Sequence, residues 1–150
     1  MDKNYIHRFR EIIRIFDREI SLQNNASCCN GISVAQCHTL LEIEKNKETS
    51  VSELAGNLSL DKSTVSRTVD GLVNISLVDR VTPKENRRKA MLNLTDNGKQ
   101  VCSTINYTND LYINSILKDF TEKERDEFLR LFEKLTGNMA ADRQISDNIS

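Results

Sequence analysis

Apolar residues recur at three- and four-residue steps from the start of the chain: Tyr5, Ile6, Phe9, Ile12, Ile13, Phe16 and Ile20. That spacing places them on one stripe of a long amphipathic helix. The helix is expected to end before the polar stretch Gln23-Asn24-Asn25, ahead of Asn30-Gly31. Ser33-Val34-Ala35-Gln36 then forms a capping box, in which the hydroxyl takes an orphan N–H and Gln36 reaches back. It opens a helix running to Lys45. Ser50-Val51-Ser52-Glu53 repeats the motif and starts a short helix with Val51, Leu54, Ala55 and Leu58 facing inward.

Asp61 is a strong N-cap, and Leu60 with Val65 has the spacing of a hydrophobic staple. The helix it opens, residues 62–74, buries Val65, Val69, Leu72 and Val73. Two short helices joined by a tight turn make a helix-turn-helix candidate. The period then changes. Val78-Asp79-Arg80-Val81 and Lys89 to Leu94 read as strands around the basic turn Thr82-Pro83-Lys84-Glu85-Asn86-Arg87-Arg88, a hairpin with a charged tip. Thr95 caps a second long helix, to about Lys118. Thr121-Glu122-Lys123-Glu124 is a third capping box, before a helix carrying Phe128, Leu131, Phe132, Leu135 and Met139. The tail after Asp142 is polar and is expected to fray.

The 150 residues suit one domain. The single Pro and five Gly argue against a loop-rich all-β fold and against disorder. No run approaches the ~18 apolar residues of a membrane helix, and Met1-Asp2-Lys3-Asn4 leads into no apolar signal core. Net charge is −1, yet residues 61–90 hold seven Lys/Arg against four Asp/Glu. A basic middle between acidic arms signals a partner, unless it is ordinary scatter in a short window.

On a helical wheel, Ser63, Thr64, Arg67, Gly71 and Asn74 lie broadly opposite the apolar stripe of helix 62–74. The N-terminal end thus offers small hydroxyls and one guanidinium to the major groove, and its free N–H groups suit a phosphate. Arg67 has the fork that reads guanine O6 and N7. Ser63, Thr64 and Ser66 are candidate donors, and Lys62 is placed for a phosphate. Arg87 and Arg88 at the hairpin tip suit the narrow minor groove. Each feature alone also fits a solvated surface; the ordered set does not.

No G-x-S-x-G, Walker A, G-x-G-x-x-G or H-E-x-x-H motif occurs, and a Cys nucleophile would have only His7 or His38 as base. The chain reads as a non-enzyme. The two isolated histidines make no metal motif. Four Cys in a cytosolic-looking chain read as reduced thiols, and there is no C-x-x-C. Cys37 lies on the Val34–Leu41 face, which suits a core thiol. A sharper reading pairs Cys28 or Cys29 with Cys37 as a thiol sensor that closes a disulfide or binds a soft metal.

Several runs now form a pattern: Ile32 to Leu41, Ser52-Glu53-Leu54-Ala55, Asp61-Lys62-Ser63-Thr64-Val65-Ser66-Arg67, Gly71-Leu72, Asn86-Arg87-Arg88 and Leu94-Thr95-Asp96-Asn97-Gly98. Together they closely resemble the MarR family of winged helix-turn-helix regulators, over about residues 30–100. The resemblance implies a mainly α fold with a small antiparallel β-hairpin wing. Residues 1–150 would form a single domain, with dimerisation helices at 1–27 and 100–145 and the DNA-binding lobe at 33–95. It implies a bacterial or archaeal homodimer on pseudo-palindromic double-stranded DNA, cytoplasmic and nucleoid-associated when bound, with no membrane partner. DNA contacts would fall to Lys62, Ser63, Thr64, Ser66 and Arg67 on the recognition helix and to Arg87 and Arg88 on the wing. Family members are mostly repressors. They need no cofactor, and many are released by small phenolic ligands, some by thiol oxidation or metal. One residue departs from the pattern: the family's wing usually has an Asp just before the paired arginines, and here that residue is Asn86. The alternative is a winged-helix protein-interaction module without specific DNA binding.

Overall fold

The computed structural model describes residues 2–26, 31–82 and 90–147. Cys28, Cys29, Asn86, Arg87 and Arg88 lie outside the described residues. The element order is α1 (Lys3–Ala26), α2 (Val34–Asn46), β1 (Thr49–Ser50), α3 (Val51–Leu58), α4 (Lys62–Asn74), β2 (Val78–Val81), β3 (Met91–Leu94), α5 (Asp96–Ile116) and α6 (Glu122–Asp147). This is a mainly helical winged-helix fold with a small antiparallel sheet. Among the described residues, no helix is long and apolar enough to cross a membrane. The chain divides into two compact units, residues 1–106 and 107–150.

The helix starts follow the local chemistry of the sequence. Ser33 Oγ accepts from the Gln36 N–H at 3.2 Å while Gln36 Oε1 accepts from the Ser33 N–H at 2.9 Å. Ser50 with Glu53 and Thr121 with Glu124 close the same reciprocal pair. Glu124 is held below the usual carboxylate range by the Thr121 N–H and hydroxyl it accepts from. Three helix ends differ from expectation. α1 continues through Gln23-Asn24 to Ala26, and α6 runs past Asp142 to Asp147. Polar side chains alone do not stop a helix, and neither stretch contains Gly or Pro. α5 ends at Ile116, slightly before Lys118, although the Leu117 N–H still reaches the Ile113 carbonyl at 3.1 Å.

The sheet order is β1-β3-β2, antiparallel throughout, with Thr49 opposite Leu92 and Arg80 also opposite Leu92 from the other side. β1 was not visible as a strand in the sequence. Its two residues double as the approach to the Ser50 cap, and its pairing with β3 is non-local. The core of unit 1–106 gathers Leu40 and Ile43 of α2, Leu54 of α3, Val65, Val69 and Leu72 of α4, Val78 and Leu92 of the sheet, and Cys102 and Ile105 of α5. Each fully buried Leu or Ile among them contributes about 1.5–3 kcal/mol.

α4, the sheet and α5 are joined at Leu77. The Leu77 N–H bonds the Leu72 carbonyl at 2.9 Å, and its own carbonyl accepts the Thr95 N–H at 3.1 Å. Thr95 Oγ1 donates to the Ser76 carbonyl at 2.8 Å and accepts the Gly98 N–H at 2.9 Å, capping α5. Ser76 takes the left-handed turn with φ 58°. Gly98 is buried against this joint: a Cβ there would stand 2.1 Å from the Leu77 carbonyl oxygen. A backbone atom cannot rotate away, so Gly98→Ala is expected to destabilise the fold by about 1–3 kcal/mol. A urea midpoint equal to that of the native chain would contradict this.

Candidate nucleic-acid interface

α3 closes on Ser59, which adopts φ 54° while its N–H bonds the Gly56 carbonyl at 3.1 Å. The Leu60 N–H bonds the Ala55 carbonyl at 3.0 Å, which ends the turn and aims the chain into α4. Leu60, expected to staple onto Val65, keeps 47% of its surface exposed, whereas Val65 is buried. Asp61 is extended and caps α4. Its carboxylate accepts the Thr64 N–H at 2.8 Å, the Thr64 hydroxyl at 2.7 Å and the Ser63 hydroxyl. The Ser63 hydroxyl, followed by Thr64, holds the Asp61 carboxyl well below the usual carboxylate range.

That triad changes what the end of α4 offers. The Ser63 and Thr64 hydroxyl protons are directed at Asp61, so toward a ligand these oxygens present lone pairs. The anion-favouring helix N-terminus already holds the chain's own carboxylate. Arg67 sits one turn further on, exposed, with Nη2 3.5 Å from Thr64 Oγ1, the outer limit of a hydrogen bond. Its fork remains available. Lys62 is exposed at the same end, and Ser66 is half-buried. The structure therefore brings Lys62, Ser63, Thr64, Ser66 and Arg67 together on the first two turns of α4.

A contact not anticipated from the sequence lies further along. Arg80 Nη2 of β2 stands 2.7 Å from Asp70 Oδ1 of α4. The signal was present in the strand pattern, since Arg80 follows buried Val78 by two residues and so shares its side.

The described cysteines divide clearly. Cys37 is half-buried against the core, and Cys102 is fully buried. Burial, reinforced by the Glu44 charge, pushes the Cys102 thiol up to about 11, so it is protonated and unreactive at neutral pH. Among the described residues, no group of three or more His, Cys, Asp or Glu could hold a metal ion. A cavity of about 450 Å³ opens within unit 1–106, over an apolar floor of Ile43, Leu92 and Leu94, with Glu44, Lys47 and Lys99 at its rim.

Residues 32–90, which include all of α2 to β2, match the MarR family. That stretch resembles a MarR family domain. Two relatives agree. The chain is 25% identical over 91 residues to the HTH-type transcriptional regulator BilQ of Clostridioides difficile (strain CD3), covering 61% of this chain and 62% of that protein. It is 29% identical over 101 residues to the HTH-type transcriptional repressor YetL of Bacillus subtilis (strain 168), covering 65% and 60%. The match thus spans under two thirds of either relative. Streptococcus pneumoniae FabT, solved in complex with DNA, shares the fold with a TM-score of 0.79 at 19% identity, over 91% of this chain and 98% of that one. α3 and α4, joined at the Ser59 turn, make the helix-turn-helix expected from the sequence, and β2 pairs antiparallel with β3.

The lowered Asp61 titration has a fixed sign. A carboxyl easier to ionise in the folded chain stabilises it above the ordinary Asp value of about 4, and that gain is lost as pH falls below it. Asp61→Asn is therefore expected to melt below the native chain at pH 7, with the gap narrowing as pH drops under about 4. Melting curves across that range check this. A gap independent of pH would show that the charge does not matter.

Proposed function

We propose that this chain is a sequence-specific DNA-binding transcriptional regulator, a homodimer that represses from a pseudo-palindromic operator. The observation that carries the reading is Arg67, presented on the exposed first half of a capped α4 whose opposite face, Val65, Val69 and Leu72, is locked into the core. A guanidinium on a fixed helix can form a bidentate pair with guanine. FabT, solved with DNA, supports the reading through its shared fold. Lys62 would contact phosphate, with Ser63, Thr64 and Ser66 beside it. Arg87 and Arg88, outside the described residues, are assigned to the minor groove from sequence.

Dimerisation is favoured by apolar faces that remain in solvent. α1 exposes Tyr5, Phe9, Ile12 and Phe16, and unit 107–150 exposes Leu111, Ile116, Phe128 and Leu131. A second copy covering such faces is the usual solution in symmetric oligomers. Release would come from a small molecule, a thiol oxidant or a soft metal. The cavity over Ile43, Leu92 and Leu94 is a candidate seat for the first, and Cys28, Cys29 and Cys37 for the others.

Fluorescence anisotropy with the DNA upstream of the protein's own coding region, over a salt series, tests the main reading. Tight binding, poor competition by random DNA and a two-chain mass in sedimentation are expected. Arg67→Ala and Arg88→Ala are each expected to cost about tenfold or more in affinity without changing the circular dichroism spectrum. Equal competition by random DNA would favour an interaction module over a reader of sequence. For release, the same complex is titrated with oxidant or a soft metal. Cys28→Ser and Cys37→Ser are expected to blunt the response, and variants that respond like the native chain would remove the thiol sensor.

A further inference from the structure

Val78 is fully buried at the root of β2, and strand alternation puts Arg80 on its side. Beyond Val78 the strand comes into solvent: Asp79, Val81 and Thr82 are all exposed. Among the described residues, the Arg80–Asp70 pair at 2.7 Å is then the outermost polar tie between β2 and α4. Asp70 itself is half-exposed. On the wheel of α4 it stands about 60° from Arg67 and as far from Val73, on the flank between the exposed face and the apolar stripe. A carboxylate there repels phosphate. By charge alone it weakens any DNA complex.

We propose that Asp70 is a positioning residue: through Arg80 it fixes the angle at which the β2–β3 hairpin leaves α4. The proposal rests on the reading of α4 and the hairpin as a DNA interface, and it specifies how their relative aim is held. The turn between them supports it. Only Ile75, Ser76 and Leu77 connect α4 to β2, so the root of the strand is fixed by the Leu77 N–H and by buried Val78. The ion pair continues that attachment two residues outward, where no apolar side chain of β2 is buried. A planar guanidinium with a carboxylate constrains direction as well as distance.

The sign of one substitution separates positioning from electrostatics. Asp70→Asn deletes a negative charge beside the face presented to DNA, so charge alone makes binding tighter. Positioning makes it weaker, by about two- to fivefold, the range expected of an exposed ion pair. The double exchange Asp70→Arg with Arg80→Asp is expected to recover most of the loss. Arg80→Gln is expected to weaken binding without altering the salt dependence; a salt slope reduced by about one would mean that Arg80 itself neutralises a phosphate and would overturn the proposal. So would an Asp70→Asn variant that binds as tightly as the native chain or tighter. Residual dipolar couplings of the β2 and β3 amides, referred to α4, supply a readout without DNA. Asp70→Asn is expected to change them, and unchanged couplings overturn the proposal. If the native chain shows no preference for specific DNA, the proposed function fails on its own account, and the couplings still decide whether Asp70 positions the hairpin.

Discussion

Three elements meet on the backbone of one buried residue. Leu77 ends the turn after α4, starts the approach to β2 and accepts the first N–H of the α5 cap. Its side chain is in the core, and its carbonyl leaves no room for a side chain at Gly98. Such a joint tolerates little adjustment, because the contacts are backbone to backbone and the interior around them is close-packed. The direction of α4 therefore follows from two fixed points. Leu77 holds its C-terminal end, and the Val65–Val69–Leu72 stripe holds its length. What α4 presents to solvent is set as a consequence.

At the other end, the same helix is organised by charge. Asp61 satisfies the Thr64 N–H and holds two hydroxyls that would otherwise rotate freely. The cost is chemical: an anion occupies the place where a bound phosphate would have been most favoured. The benefit is order, since Ser63 and Thr64 on the first turn of α4 arrive already oriented. Less rotamer entropy then remains to be lost when a ligand binds. Arg67 stands at the edge of this arrangement, near enough to Thr64 to be guided and far enough to remain available.

Much of the fold could be read from the sequence because its signals are local. The Ser33, Ser50 and Thr121 caps each use a partner three residues away, so the motif contains its own explanation. Helix 62–74 and strand 78–81 match the expected bounds for the same reason. Where reading failed, the missing information was non-local. β1 exists only because β3 passes beside Thr49 and Ser50. The site was half legible. The residues on α4 are grouped as their spacing implied, but two of the three hydroxyls expected as donors, Ser63 and Thr64, face Asp61. Composition gives residue types and wheel positions give faces; neither says where a hydroxyl proton points. The Asp70–Arg80 pair joins a helix to a strand, and no single periodicity covers both.

The acidic residues on α4 bear on selectivity. Affinity for any DNA, whatever its sequence, comes mainly from Lys and Arg neutralising phosphates. A chain with net charge −1 gathers little of this from its overall field. Asp61 and Asp70 reduce it further at the edges of the face where contact is proposed, one fully ionised as a cap and one already paired with Arg80. Both charges cost every DNA complex about equally, whereas a bidentate contact from Arg67 is regained only at the right base. Weak general attraction combined with a fixed helix and hairpin shifts the balance from affinity toward discrimination. For the proposed reader of sequence, carboxylates beside Arg67 would thus favour discrimination over affinity.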